Sequence, residues 1–516
     1  MYRDGKIWMS GKDGKLGLLT KMANRHGLIA GASGTGKTIT LKVLAEGFSD
    51  AGVPVFLADI KGDLAGMCLI GSDNKIIKER LPYFGLEELD YKTFPTCFWD
   101  IYGKKGHPLR ATISDMGPIL LSELLGLSEI QFQVLNVIFR IADDNGLLLI
   151  DIKDLKEMLR YVNDNREEFS AEYGNLTSQS IAAIQRSLVT LESLGGDIFF
   201  GEPMLDIFDF LRCDSNGKGY INILHSVELS QNKTLYSAFM LWLLSEIYEN
   251  MPEAGDLDKP RAVLFFDEAH LIFKDAPKVL LEKIEQVIRL IRSKGIGIYF
   301  ISQSPSDIPD TVLSQLSNKI QHALRAYTPK EQKAIRAVAE SFRPNPTFKT
   351  EDVITELATG EAIVSFLDET GAPTVVERGY IIAPQSKMGT ITDDERNNII
   401  NNSQLFVKYN REVDSVSAFE VLSEDREKRE EEEKNMSANE KFQKDMEKIK
   451  KQRQKTADRI VGNTMSAAGR TIGRTAAKAV TGKSTGLGGT IASTLVGNIG
   501  RELGKSITRG IFGSKL

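Results

Sequence analysis

A chain of 516 residues exceeds what one compact core usually organises, so two or three structural units are expected. Its 41% apolar and 26% charged residues are those of a globular protein, and a net charge of -5 excludes a surface coated with basic residues for nucleic acid while leaving room for a local basic patch. The three cysteines, Cys68, Cys97 and Cys213, form no Cys-x-x-Cys pair and the five histidines no His-x-x-x-His, which excludes a local zinc site and a disulfide framework and predicts a reducing, cytoplasmic home.

Met1 to Arg25 reads as a short, turn-rich segment without the apolar run of a signal peptide. His26-Gly-Leu-Ile-Ala30 is predicted to be a buried strand, because a glycine-rich turn ends it and a helical pattern follows from Lys37. Val53 to Ala58 is the next strand, closing on Asp59 and the turn Lys61-Gly-Asp63. Strand, loop, helix and strand in that order open a βαβ unit and a parallel sheet. From Leu109 to about Leu194 the period becomes helical, as in Ile130, Val134, Leu135, Ile138 and Ile141, which predicts a helical insertion. Strands return at Tyr220 to Leu224, Ala262 to Phe266, Gly297 to Ile301 and Ile320 to Arg325. A hairpin is expected from Glu361 to Phe366 and Thr374 to Glu377, joined by Asp368-Glu-Thr-Gly371. The globular part is expected to end near Phe406, and Ser423 to Lys455 reads as a solvated charged helix or spacer. No uncharged apolar stretch before Lys478 approaches the roughly 20 residues that span a bilayer.

Chemistry enters at Gly31-Ala-Ser33-Gly34-Thr35-Gly36-Lys37-Thr38, a phosphate-binding loop pattern placed between an apolar strand and a helix. Gly34 and Gly36 let backbone N–H groups turn around phosphates, the helix N-terminus adds a favourable dipole, Lys37 reaches the β and γ oxygens and Thr38 holds Mg2+. A bare glycine turn with an incidental lysine would not match all eight positions in that context. Phosphoryl transfer also needs a metal-positioning carboxylate and a group that activates water, both at a strand end facing the loop. Asp267 and Glu268 follow the apolar run Ala262 to Phe266 and supply a metal ligand and a general base. The string Asp267-Glu-Ala-His270 coincides with the label of DEAH-box helicases, but no other motif of that family surrounds it. Ser302-Gln303-Ser304 ends a further apolar strand, and Gln303 is placed either to bond the γ-phosphate or attacking water or simply to cap the strand. No Asn-Lys-x-Asp guanine-reading motif occurs, so the expected nucleotide is ATP.

The phosphate loop, the Asp267-Glu268 strand end, Ser302-Gln303, and Leu316-Ser-Asn318 leading to Leu324-Arg325 together resemble the HerA/FtsK superfamily of hexameric DNA-pumping ATPases. Asp59-Ile-Lys-Gly-Asp63, Gly106-His-Pro-Leu-Arg110, Thr112-Ile-Ser-Asp-Met-Gly-Pro118 and Ile141-Ala-Asp-Asp144 resemble a bacterial family of HerA-like ATPases within it. The resemblance covers about Lys6 to Ala383. It implies a RecA-like P-loop fold, Gln303 as the sensor, and Arg325 as the finger offered to a neighbouring subunit's nucleotide, hence a ring; Arg343 competes for that last role. HerA proteins carry a small β-barrel ahead of the motor, whereas only residues 1–30 precede the loop here, which puts recruitment through that barrel in doubt.

The expected fold is therefore an α/β, RecA-like P-loop NTPase with a mostly parallel central sheet. Residues 1–108 form the first part of the ATPase domain, 109–200 the helical insertion, 201–406 the second part, 407–455 a charged helical linker and 456–516 a basic Gly/Ala/Ser/Thr-rich tail. In that tail Arg459, Arg470, Arg474, Lys478, Lys483, Arg501, Lys505, Arg509 and Lys515 face only Asp458 and Glu502. Ile472-Gly-Arg-Thr-Ala-Ala-Lys478 and Ile499-Gly-Arg-Glu-Leu-Gly-Lys505 form a faint repeat with basic residues four apart. Three readings compete: an oligomeric ATPase that moves along DNA; the same fold acting on a protein or membrane-associated complex, with peripheral lipid contact through the tail; and a nucleotide-dependent scaffold. Glu268 speaks against the scaffold, which needs no base.

Overall fold

The computed structural model describes residues 1–12, 15–274 and 278–465. Two compact units make up the chain, Met1–Arg426 and Glu427–Leu516. The first opens with three short antiparallel strands, β1 (Tyr2–Arg3), β2 (Lys6–Ser10) and β3 (Leu16–Leu19). The turn-rich segment expected there is thus a small sheet. Ile7, Trp8 and Met9 are all buried, because the sheet lies on helix α1 (Lys37–Asp50) so closely that a Cβ on Gly47 would meet Ile7 Cγ2 at 2.3 Å.

Ten further strands form the main sheet: β4 (Gly27–Ala30), β5 (Val55–Asp59), β6 (Thr96–Asp100), β7 (His107–Pro108), β8 (Ile221–His225), β9 (Ala262–Phe266), β10 (Ile296–Ser302), β11 (Asn318–His322), β12 (Glu361–Ser365) and β13 (Glu377–Tyr380). Their order across the sheet is β13-β12-β11-β4-β10-β9-β5-β8-β6-β7. Every neighbour from β11 to β7 is parallel, and β12 and β13 add an antiparallel edge. The expected α/β fold with a mostly parallel sheet is the one present. Strand period explains the burial: Leu28, Phe56, Leu264 and Phe300 point into one core layer, while Ile29, Val55, Phe265 and Ile301 point into the other.

Several expected elements shift. β6 and β7 were not anticipated; Thr96-Cys-Phe-Trp-Asp is too short a run to separate from the surrounding polar turns. β11 ends at His322, before Arg325, and the last strand begins at Glu377 instead of Thr374. The hairpin itself is present, but Asp368 accepts N–H groups from Thr370 and Ala372, and Thr374 bonds across to Phe366, so a broad turn takes up residues assigned to the strand.

The inserted helices are Ile113–Leu124, Glu129–Asp144, Ile152–Asp164, Arg166–Tyr173 and Ser178–Ser193. Capping boxes at Thr112/Asp115, Ser128/Gln131 and Asp151/Asp154 start three of them by satisfying their first N–H groups. Their apolar faces, including Ile138, Leu155 and Ile184, join the same core as Leu28 and Phe56. Ile130 departs from the expected stripe: it lies in the first turn of its helix and is 67% exposed, whereas Val134, Leu135, Ile138 and Ile141 are buried.

Packing continues past the expected limit at Phe406. Tyr409 is fully buried with its ring 5.0 Å from that of Trp99, its hydroxyl donates to Asp209 Oδ2 at 2.5 Å, and Ala418 and Leu422 are buried as well. Arg426 pairs with Glu157 at the end of this unit. The charged segment is helical, part of Ala418–Met465. The tail beyond Met465, with its repeat, lies outside the described residues. Among the described residues, no helix is long and apolar enough to cross a membrane.

Candidate active site

The loop Gly31 to Thr38 leaves β4 and enters α1, as its sequence requires. It is tied to three neighbouring elements: Gly31 N–H donates to the Ser302 carbonyl at 3.2 Å, Ala32 N–H to Ala323 at 2.8 Å, and Gly360 N–H to the Thr35 carbonyl at 2.8 Å. Glycine is needed at Gly31, whose φ is 154° and whose added Cβ would stand 2.5 Å from His322 Cβ. Gly34 and Gly36 have φ of 76° and 120°, which turn the loop N–H groups inward. Ser33 is exposed, Thr35 Oγ1 donates to Ala32 O at 2.7 Å, and Thr38 stands in the first turn of α1. Lys37 lies folded over the loop, its Nζ donating to Gly31 O at 2.6 Å and Ala32 O at 3.1 Å. Burial and the nearby Lys61 lower the Lys37 pKa against the opposing pull of Glu268 and Asp267.

Beneath the loop sits His322. Its Nδ1 is 2.8 Å from the Glu361 carbonyl, which can only accept, so Nδ1 carries the proton and Nε2 accepts from Thr40 Oγ1 at 2.7 Å. Burial holds this imidazole neutral, with a pKa lowered to about 4. Two other histidines are held by hydrogen bonds: His26 is buried between Ile288 O and Ile298 N–H, and His107 bonds Asn410 Oδ1.

Asp267 and Glu268 follow β9, and both are 6% exposed. Glu268 adopts φ of 47°, a left-handed backbone that a non-glycine residue rarely takes, and this kink directs the chain from strand to helix. Asp267 Oδ1 accepts the Glu268 N–H at 2.9 Å. Burial raises the Asp267 pKa to about 6, opposed by Lys61 and reinforced by Glu268. Burial pushes Glu268 upward too, but a hydrogen bond and the charge of Lys61, with Gln303 and His270, outweigh it and leave Glu268 below its ordinary value. A well-ionised carboxylate, Glu268, therefore stands beside a partly protonatable one, Asp267.

Gln303 meets this pair. β10 lies between β4 and β9, so its polar end is carried between the phosphate loop and the acids; Gln303 Nε2 donates to Glu268 Oε2 at 3.4 Å, while Ser302 Oγ is held by Asp307 Oδ2 at 2.5 Å. His270 starts the short helix His270–Phe273, and its Nδ1 also lies 3.3 Å from Glu268 Oε2. Lys61, which sequence reasoning passed over within Asp59-Ile-Lys-Gly-Asp63, places Nζ 2.7 Å from Glu268 Oε1 and 3.8 Å from Asp267 Oδ2. Arg325 is not brought to this chain's own loop. Its guanidinium donates to the carbonyls of Thr355 and Leu357, closing the helix Thr350–Glu356, and Arg343 donates to Pro373 O.

The donors suit Mg2+, which takes few protein ligands and keeps waters and phosphate oxygens. Thr38 offers a hydroxyl and Asp267 a buried carboxylate, and no cluster of three or more His, Cys, Asp or Glu able to build a full protein cage occurs among the described residues.

A model of the family described as Helicase HerA-like C-terminal matches residues 5–515. The chain belongs to this family. It is similar to the DNA double-strand break repair helicase HerA of Sulfurisphaera tokodaii, 23% identical over 375 residues that cover 70% of this chain and 66% of the relative. With the protein of the same name from Sulfolobus acidocaldarius the identity is 22% over 371 residues, again 70% of this chain and 66% of the relative. The chain thus spans just under two thirds of the length of these relatives. Among solved structures, the plasmid coupling protein TrwB bound to a non-hydrolysable ATP analogue matches with a TM-score of 0.50 and 14% identity over 75% of this chain and 93% of that one, a likeness of fold.

Proposed function

We propose that this protein is an ATP-hydrolysing motor of the HerA/FtsK type that forms a hexameric ring and moves along or remodels DNA. One observation carries the reading: β10 separates the loop strand β4 from the acidic strand β9, so Gln303 meets Glu268 at a site bounded by Lys37 and Asp267. Glycine turns alone would not require that convergence.

In this reading Lys37 and the loop N–H groups hold the triphosphate. Thr38 and Asp267 hold Mg2+, which when bound neutralises charge on the β and γ oxygens. Glu268 accepts a proton from water as its oxygen attacks the γ-phosphorus, and the bond from that phosphorus to the β–γ bridging oxygen breaks to release ADP. Gln303 orients the water. Arg325 serves the nucleotide of the adjacent subunit, which draws on the family's ring architecture and on the placement of Arg325 away from its own loop.

The relatives named above are DNA repair helicases, and this supports DNA as the client. ATP turnover measured with and without linear duplex DNA, on protein of determined oligomeric state, tests the proposal: DNA should stimulate turnover severalfold. Stimulation by anionic vesicles instead, lost on removal of residues 456–516, would favour a membrane-associated client reached through the basic tail.

A further inference from the structure

The helix Lys233–Asn250 follows the turn after β8, at the sheet edge that carries the acidic pair. Ser226 N–H donates to Asp59 O at 2.9 Å, which ties that turn to the end of β5, the strand beside β9. Asn232 Oδ1 then accepts the Leu235 N–H at 3.1 Å and starts the helix. The helix packs against His270–Phe273, the short helix just after Glu268, and Ser237 Oγ donates to Leu271 O at 3.2 Å. Tyr236 therefore enters the core directly beside the acidic end of β9.

Tyr236 is fully buried, and its hydroxyl has no hydrogen-bond partner among the described residues. Burial, and then the charges of Asp267 and Glu268, raise its pKa, so the phenol stays protonated and offers an O–H close to two carboxylates. An O–H kept from water and left unpaired is costly, and in native proteins such a group marks strain, function or a partner that is bound only part of the time. The two acids differ in what they can still accept. Glu268 Oε1 is taken by Lys61 at 2.7 Å, and Oε2 by Gln303 at 3.4 Å with His270 Nδ1 at 3.3 Å. Asp267 Oδ1 accepts the Glu268 N–H at 2.9 Å, but Oδ2 has no donor within hydrogen-bond distance among the described residues, Lys61 lying 3.8 Å away. A buried donor without an acceptor thus stands near a buried carboxylate oxygen without a donor.

We infer that Tyr236 is a positioning residue that acts through Asp267: its O–H donates to Oδ2 once nucleotide and Mg2+ are bound, and so fixes the carboxylate in the orientation that serves the metal. The inference rests on the reading of Asp267 as a metal ligand and adds the group that steadies it.

Titration calorimetry of the full chain with a non-hydrolysable ATP analogue, in excess Mg2+ and in EDTA, tests it beside thermal unfolding of the nucleotide-free protein. Tyr236→Phe keeps the buried ring and removes only the oxygen. Because that oxygen is unpaired, the nucleotide-free variant should melt at or above the wild-type temperature. Its affinity for the analogue in EDTA should stay within about twofold of wild type, while the gain that Mg2+ brings should shrink by about tenfold, the worth of a hydrogen bond to a charged group. In an Asp267→Asn background, Tyr236→Phe should remove no further Mg2+ gain. A nucleotide-free variant that melts below wild type would show that the hydroxyl already holds a structural partner, and would overturn the inference. An undiminished Mg2+ gain, a loss of equal size with and without Mg2+, or a further loss in the Asp267→Asn background would overturn it too. Wild type whose affinity Mg2+ does not raise would overturn the metal reading of Asp267, and the role of Tyr236 with it.

Discussion

Lys61 Nζ lies 2.7 Å from Oε1 of Glu268, and this one contact joins the loop after β5 to the acidic end of β9. The loop is shaped for it. Asp59 accepts N–H groups from Gly62 at 2.8 Å and Leu64 at 3.2 Å, and Gly62 takes φ of 75°, which together fix the turn that presents Lys61. Lys61 is 44% exposed, so it is free to exchange partners as ligands enter.

Lys61→Ala is expected to lower kcat by about tenfold or more while changing ATP affinity little, because it removes the restraint on the base and leaves the phosphate contacts intact. Lys61→Arg should recover part of the loss. Combined with Glu268→Gln, Lys61→Ala should add almost nothing, since the group it positions is already gone. Additive losses in the double variant would show that Lys61 acts elsewhere.

Lys37→Ala and Glu268→Gln should differ in kind. The first removes the ammonium folded over the loop and should weaken ATP binding; the second keeps the shape of the side chain and should bind ATP yet turn over at least about a hundredfold more slowly. Equilibrium binding and single-turnover hydrolysis separate the two. Wild-type turnover by Glu268→Gln would remove it from the role of base.

His322 sets a pH dependence. Its folded pKa is lowered to about 4 from an ordinary 6.5, so below 6.5 the unfolded state binds the extra proton and the folded state does not. This contribution to stability is present above pH 6.5 and is lost progressively as pH falls toward 4. His322→Gln should flatten the acid side of the stability curve by up to one proton, ~1.4 kcal/mol per pH unit, in denaturant unfolding followed from pH 7 to 4.5. An unchanged slope would mean that His322 is not held neutral.

Arg325→Ala should assemble and bind ATP but hydrolyse it slowly if its guanidinium serves the next subunit. Mixed rings of Arg325→Ala and Glu268→Gln subunits should regain activity at interfaces that receive both intact groups. Because Arg325 also closes the helix Thr350–Glu356, thermal unfolding of the variant must be measured beside turnover. No recovery in rings shown to mix would remove the trans role.

What could be read from the residues were features that local chemistry specifies. Gly31 to Thr38 needs its glycines wherever it occurs, and Ala262 to Phe266 ends on two carboxylates that an apolar strand would not otherwise tolerate. Lys61 escaped because its partner lies more than two hundred positions away, and nothing in Ile-Lys-Gly says that β5 will neighbour β9. A cavity beside the loop escaped for the same reason, being lined by segments near residues 39, 77 and 382 that are far apart in the chain. Tyr409 was lost in a polar stretch, where a single aromatic side chain packed on Trp99 extends the fold past Phe406.

Movement along duplex DNA is measured most directly by ATP-driven displacement of a triplex-forming oligonucleotide from a long linear duplex, comparing wild type with Glu268→Gln. Wild type should displace the third strand only with ATP and Mg2+, at a rate that falls as the distance to it grows, and Glu268→Gln should bind the duplex without displacing anything. Displacement by Glu268→Gln, or none by a wild type whose ATP turnover the same DNA stimulates, would contradict a motor that spends hydrolysis at Glu268 on moving DNA.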